Sequence, residues 1–228
     1  MKRITGVFLM LLLLNSTALA AVRFNPSSAS ERKALGIECF RHCAFGSEYR
    51  LSTMLLSRWE EDIRIYADGS PKDQDMEALD GFIEECTSRC ENMPPMYRVS
   101  SKSQANVVIY YGPLESLDEH VTDYVKGNWG YFSYWYTWRL RRNKAEIGIA
   151  TDVTSQKQRN HLMKEELIGA LGLSNDHNLY TDSILYAPWT ETQELSDVDW
   201  MMMNMLYHKD LSCGMSAKEA CRILQEVF

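Results

Sequence analysis

The chain has 228 residues, of which 45% are hydrophobic and 24% charged, with a formal net charge of -7. A chain of that length and apolar content can bury a sizeable core and has no need of disorder. The acidic balance excludes a phosphate-tracking nucleic-acid binder and argues against an anionic membrane surface. The one basic cluster, Arg139 to Lys144, sits between two strand-like runs and reads as a solvated turn.

Met1, Lys2 and Arg3 precede an apolar stretch to Leu14, followed by Asn15, Ser16, Thr17 and the small-residue close Ala18, Leu19, Ala20. A basic start, a short apolar run and a small-residue end make residues 1–20 a secretory signal peptide, cleaved after Ala20. The run is too short to cross a bilayer of ~30 Å, which takes about 20 residues, so no stable transmembrane anchor is expected after cleavage. The expected product is a periplasmic or secreted chain of about 208 residues. Loss of Lys2 and Arg3 takes its net charge from -7 to -9.

Residues 21–59 read as a helical segment and residues 60–228 as the main domain. A helix is expected over Ser28 to His42, opened by Ser28 or Ser30, and a second over Tyr49 to Trp59. Asp62 to Ala67 alternates as a strand and closes on the turn Asp68-Gly69-Ser70-Pro71. Asp75 to Arg89 is helical, and Ala105 to Tyr111 is a buried strand ended by Gly112-Pro113. This strand, helix, strand order predicts an α/β start with a crossover.

Six cysteines in an exported chain predict disulfides. Cys39 and Cys43 are four apart, as are Cys86 and Cys90, and each pair shares one face of a predicted helix. The pattern resembles a twin CxxxC staple, and geometry favours Cys39-Cys90 with Cys43-Cys86. Cys213-Cys221 would then close a short C-terminal loop. Other pairings stay open.

Gly127 to Leu140 carries Trp129, Tyr131, Phe132, Tyr134, Trp135, Tyr136 and Trp138, and a strand follows from Glu146 to Asp152. Such a run serves either as packing or as a carbohydrate or peptide platform, and packing is the simpler reading.

From Thr154 to Leu173 the pattern turns helical and runs Glu165, Glu166, Leu167, Ile168, Gly169, Ala170, Leu171, Gly172, Leu173, Ser174, Asn175, Asp176. The spacing resembles the metzincin signature HExxHxxGxxH, with Glu166 at the general-base glutamate and Gly172 at the turning glycine. Its three metal positions hold Glu165, Gly169 and Asn175. Ser183-Ile184-Leu185-Tyr186 is similar to the Met-turn, with Leu185 at the methionine, and Leu195 to Tyr207 is similar to the last helix of matrixin-like domains. The same elements resemble an uncharacterised exported bacterial family, a domain of unknown function. The resemblance implies an α/β (α+β) zincin fold with a twisted mixed sheet.

A zinc hydrolase needs about three side-chain ligands and an open position. Gly169 supplies none, so no cofactor is expected and the leading reading is a non-catalytic module binding a peptide or envelope protein. Its cleft would be lined by Glu146, Ile147, Ile149, Glu165, Asn175, Asp176 and Tyr186, and a peptide would add as a strand. The alternatives are a zinc metallopeptidase with a displaced site and a structural envelope component with a filled cleft. The displaced site would use His161 and Glu165, four apart, with Asp176, His177 or Asp182 as a third donor and Glu166 as catalytic base. Met201, Met202, Met203 and Met205 fit a buried helix better than a copper site.

Overall fold

The computed structural model describes residues 28–45 and 55–228, together with the backbone of Lys2–Thr5. In chain order the strands and helices are β1 (Lys2–Thr5), α1 (Ala29–Phe45), β2 (Arg58–Trp59), β3 (Ile63–Gly69), α2 (Asp73–Arg89), β4 (Met96–Arg98), β5 (Val107–Gly112), α3 (Leu117–His120), β6 (Gly130–Tyr136), β7 (Arg141–Ala150), α4 (Gln156–Leu171), α5 (Asp197–Leu206) and α6 (Ala217–Val227).

Among the described residues the strands form one mixed sheet ordered β1-β6-β7-β5-β3-β4, with β2 also paired to β7. β3 runs parallel to both β4 and β5, and β5 runs parallel to β7. Parallel neighbours need a crossover, and α2 supplies the one between β3 and β4. The tight β6–β7 hairpin makes that pair antiparallel. β6 is buried along its whole length, as expected of a strand covered on both faces. α4 packs across β6 and β7 and against α2, whereas α5 packs on α1. The core joins Ile65, Ile109 and Ile147 of the sheet to Leu167 of α4, Met202 of α5 and Phe40 of α1.

Several expectations are corrected. Leu55–Trp59 is extended: Leu55 bridges Ser216, and Arg58 and Trp59 pair with Arg141 and Arg142. The Arg58 guanidinium donates to the carbonyls of Leu206, His208 and Leu211, which holds the segment across the sheet end. The rest of the expected helix from Tyr49 lies outside the described residues. All six cysteines are free thiols. No bond joins Cys39-Cys90, Cys43-Cys86 or Cys213-Cys221 in the structure, where α1 packs mainly on α5 and α6 while α2 packs on α4 and β4. Cys221 lies within α6, a helix opened by Ser216 where the sequence reading had only a loop. Of the expected signal peptide only Lys2–Thr5 lies among the described residues, and it pairs antiparallel with β6 from Lys2↔Tyr136 to Thr5↔Ser133. Among the described residues no helix is long and apolar enough to cross a membrane.

Candidate functional site

α4 carries the residues that the sequence singles out, and both of its ends are secured. The Ser155 hydroxyl accepts the Gln158 N–H, and the Gln158 side chain accepts the Ser155 N–H. The helix stops at Gly172, whose φ of 149° suits a residue without a side chain and whose N–H reaches the carbonyls of Ile168 and Gly169. Arg142 from β7 donates to the carbonyls of Gly169 (2.7 Å) and Ala170 (3.0 Å). A cation there complements the negative helix end. Arg142 is 3% exposed, so at this position the basic cluster is a buried helix clamp and not a solvated turn.

The three positions aligned with zinc ligands meet three different neighbours. Glu165 is buried, and its Oε2 has no hydrogen-bond partner. A Cβ at Gly169 would lie 2.5 Å from Cε1 of Phe132, so the aromatic ring takes the space a ligand side chain would need. Asn175 donates from its side-chain amide to the Cys43 carbonyl of α1 (3.2 Å). Glu166 is also buried, with Oε1 unpartnered, and it fits because Gly130 has no Cβ to collide with it.

The displaced set fares no better as a metal centre. His161 Nδ1 donates to the Thr192 carbonyl at 2.7 Å, which leaves Nε2 as an acceptor 3.6 Å from Glu165 Oε2. Burial holds the His161 pKa below its usual value and pushes Glu165 well above the carboxylate range, with the neighbouring charges of Asp176 and Glu166 adding to the rise. Burial thus disfavours the charged form of both partners in this contact. His177 is unavailable as a third donor. Its Nδ1 accepts the Leu179 N–H (3.2 Å) and its Nε2 donates to the Ser183 hydroxyl (3.1 Å). No group of three potential ligands that could hold a metal occurs among the described residues. The residues present do not fit a zinc ion.

A strap seals this face of α4. Lys164 Nζ donates to the Gln193 carbonyl (2.7 Å), Gln158 donates to Glu191, and Trp189 sets its ring edge-on to His161 at 5.3 Å. Beneath the strap a buried network holds the turn that follows α4. Ser183 donates to Asp199 Oδ1 (2.5 Å), and Asp199 Oδ2 accepts the N–H groups of Ile184 (3.1 Å) and Ser196 (2.8 Å). Nothing in the spacing of His177 and Ser183 announces this network. Asp199 also closes a capping box with Ser196 at the start of α5.

The model of a protein family of unknown function (DUF2927) matches residues 36–226. The chain belongs to that family. The DUF2927 match runs from within α1 to within α6 and takes in the sealed carboxyls, the strap and the buried network. No curated protein matches the chain.

Among the other expected cleft residues of this DUF2927 chain, Ile147 and Ile149 are fully buried in β7, an interior strand between β5 and β6. Glu146 accepts from Lys144 Nζ (2.7 Å) and the Thr122 hydroxyl (2.8 Å). Tyr186 bridges His177, and Asp176 lies close enough to raise the pKa of Glu165, Glu166 and Cys43. The structure therefore sets Asp176 within electrostatic reach of Glu165 and Glu166, and it keeps β7 out of reach of a new strand.

Burial of these groups makes stability depend on pH in two opposed ways. Glu165 and Glu166 have folded pKa values raised by burial first and by Asp176 second. Their contribution is intact below the unfolded carboxylate value and is lost as pH rises through the raised folded values. His177 is lowered to about 4, by burial first and the charge of His42 second. As pH falls from about 6.5 towards 4 the unfolded chain takes up a proton that the folded chain does not, at a cost of about 3 kcal/mol. In thermal melts the double variant Glu165→Gln/Glu166→Gln is expected to gain more over the parent at about pH 8 than at about pH 5. An equal gain at both would mean that these carboxyls titrate normally.

Proposed function

We propose that the protein is a non-catalytic, zincin-like binding module of the cell envelope that takes a peptide or an envelope protein as an added strand on the outer edge of β6. Supporting the zincin-like part is the order β4-β3-β5-β7-β6, with β6 alone antiparallel among these five, followed by a buried helix whose residues align with the metzincin signature. Packed side chains stand where that signature has its metal ligands, so a binding role needs no metal. The observation that carries the binding reading is the antiparallel pairing of Lys2–Thr5 on β6, four extended residues seated on the outer edge of that strand. Strand addition draws affinity from backbone hydrogen bonds and tolerates varied side chains. A periplasmic or secreted location follows from the sequence of residues 1–20.

Hydrogen exchange tests this reading. A chain beginning at Ala21 is expected to show slowed exchange at alternate amides of Gly130–Tyr136 when a synthetic copy of residues 1–8 is added. Unchanged exchange along β6 would sink the proposal.

A further inference from the structure

The β6–β7 hairpin tip carries a second feature, unrelated to the β6 edge. Trp138 is 85% exposed, whereas Tyr131, Phe132, Tyr134, Trp135 and Tyr136 of the same run are buried. A large exposed aromatic on a fixed support marks an interaction surface. The support here is rigid. Thr137 N–H donates to the Arg141 carbonyl and Leu140 N–H to the Thr137 carbonyl, both at 2.9 Å, and the Ser57 hydroxyl holds the Leu140 carbonyl at 2.8 Å. Leu140 adopts φ 62°, a left-handed conformation that costs a bulky residue energy and persists only where its surroundings enforce it. The Arg139 guanidinium lies 4.6 Å over the indole, yet most of the ring remains open to solvent.

Two concavities of about 360 and 240 Å³ share Trp138 as a wall. The smaller is also lined by Glu60, Glu61, Thr137, Arg139, Arg141, Arg142 and Asn143, and Arg141 Nε lies 2.6 Å from one oxygen of Glu60, leaving the other for a ligand. Two of these hold buried polar atoms with no partner, Thr137 Oγ1 and Arg142 Nε, and Arg142 is 3% exposed. A buried donor without an acceptor is costly and points to a group that arrives from outside. The wall therefore offers an indole face, carboxylate acceptors, an amide, a hydroxyl and a guanidinium N–H, with both signs of charge present.

We infer that the hairpin tip is a saccharide-binding site for a neutral oligosaccharide, with a pyranose ring stacked on Trp138 and its hydroxyls meeting Thr137 Oγ1, Arg142 Nε and the carboxylates of Glu60 and Glu61. A pyranose has an apolar C–H face for the indole and a rim of hydroxyls that both donate and accept. An anionic bilayer fits less well, since a single indole gives little apolar area to insert.

The test is calorimetric titration of the full chain with cellotetraose, chitotetraose and maltotetraose. At least one is expected to bind, with affinity falling about tenfold or more in Trp138→Ala and several-fold in Thr137→Val, while both variants keep the parent melting temperature. The exposure of Trp138 makes a folding failure of the first variant unexpected, and Thr137→Val reads the same site without touching the indole. Binding of none of the three, or undiminished binding by Trp138→Ala, overturns the inference. So does Trp138-dependent sedimentation with phosphatidylglycerol vesicles in the absence of any saccharide binding.

Discussion

Asp199→Ala is expected to destabilise the protein by about 3–5 kcal/mol, the cost of removing one member of a buried, fully engaged charged network. Asp199 is 1% exposed. It accepts from Ser183 Oγ on one oxygen, and from Ile184 N–H, Ser196 N–H and Ser196 Oγ on the other. Burial raises its pKa, and those hydrogen bonds work in the opposite direction. Truncation would leave these donors buried and unpaired. It would also remove the acceptor that orients Ser183, which in turn receives the protons of His177 Nε2 and of Leu185 N–H at 3.0 Å. The turn Ser183–Tyr186 and the loop that starts at His177 would lose their anchor to α5. Urea denaturation measures the loss, and thermal melting should fall by roughly 10 °C for a domain of this size. Asp199→Asn should lose part of the same stability, because an amide presents a donor to one set of donors. A change in Asp199→Ala under about 1 kcal/mol would mean that the turn is held elsewhere.

Arg159→Ala is expected to cost a comparable amount, about 3–5 kcal/mol, through a different route. Arg159 Nε lies 2.9 Å from Asp75 Oδ1, with the two side chains 3% and 1% exposed, and this pair joins the first turns of α4 and α2. Arg159 also donates to the Thr154 carbonyl and to Gln156 Oε1. Without the guanidinium, Asp75 remains buried with only the Gln156 amide (2.6 Å) and the Lys72 N–H (2.8 Å) to stabilise it. The expensive state is a buried carboxylate without its cation, so Asp75→Leu/Arg159→Leu should recover much of the loss. A denaturant double-mutant cycle decides the matter, and a double variant as unstable as the two single losses added together would refute the coupling.

How far the sequence was legible differs along the chain. The helix from Ser28, the strand ending at Asp68-Gly69 and the helix ending at Arg89 are recovered to within a few residues. Each rests on local periodicity with a local stop signal. α6 escaped because the paired cysteines around it suggested a closed loop. β2 escaped because Arg58 and Trp59 are extended by contacts to Leu206 and Arg142, more than 80 residues away. The cysteine spacing was read correctly as two helical faces, but the helices carrying them pack on different partners. Burial pushes the Cys39 thiol up to about 12 and the Cys90 thiol up to about 11, which disfavours the thiolate of each.

By itself the sequence determined the first helix, the strand and crossover helix that follow it, the helical run that carries Glu165 and Glu166, the glycine stop at Gly172 and the loss of a side-chain ligand at Gly169. All of these depend on residues a few positions apart. Only the tertiary structure decided that Phe132 fills the space beside Gly169, that Glu165 and Glu166 are buried, that Arg142 is buried while Trp138 stands exposed, and that β7 is an interior strand between β5 and β6. A side chain's charge state and accessibility are set by whichever distant segments pack on it, and neighbours brought together by folding leave no periodicity in the chain.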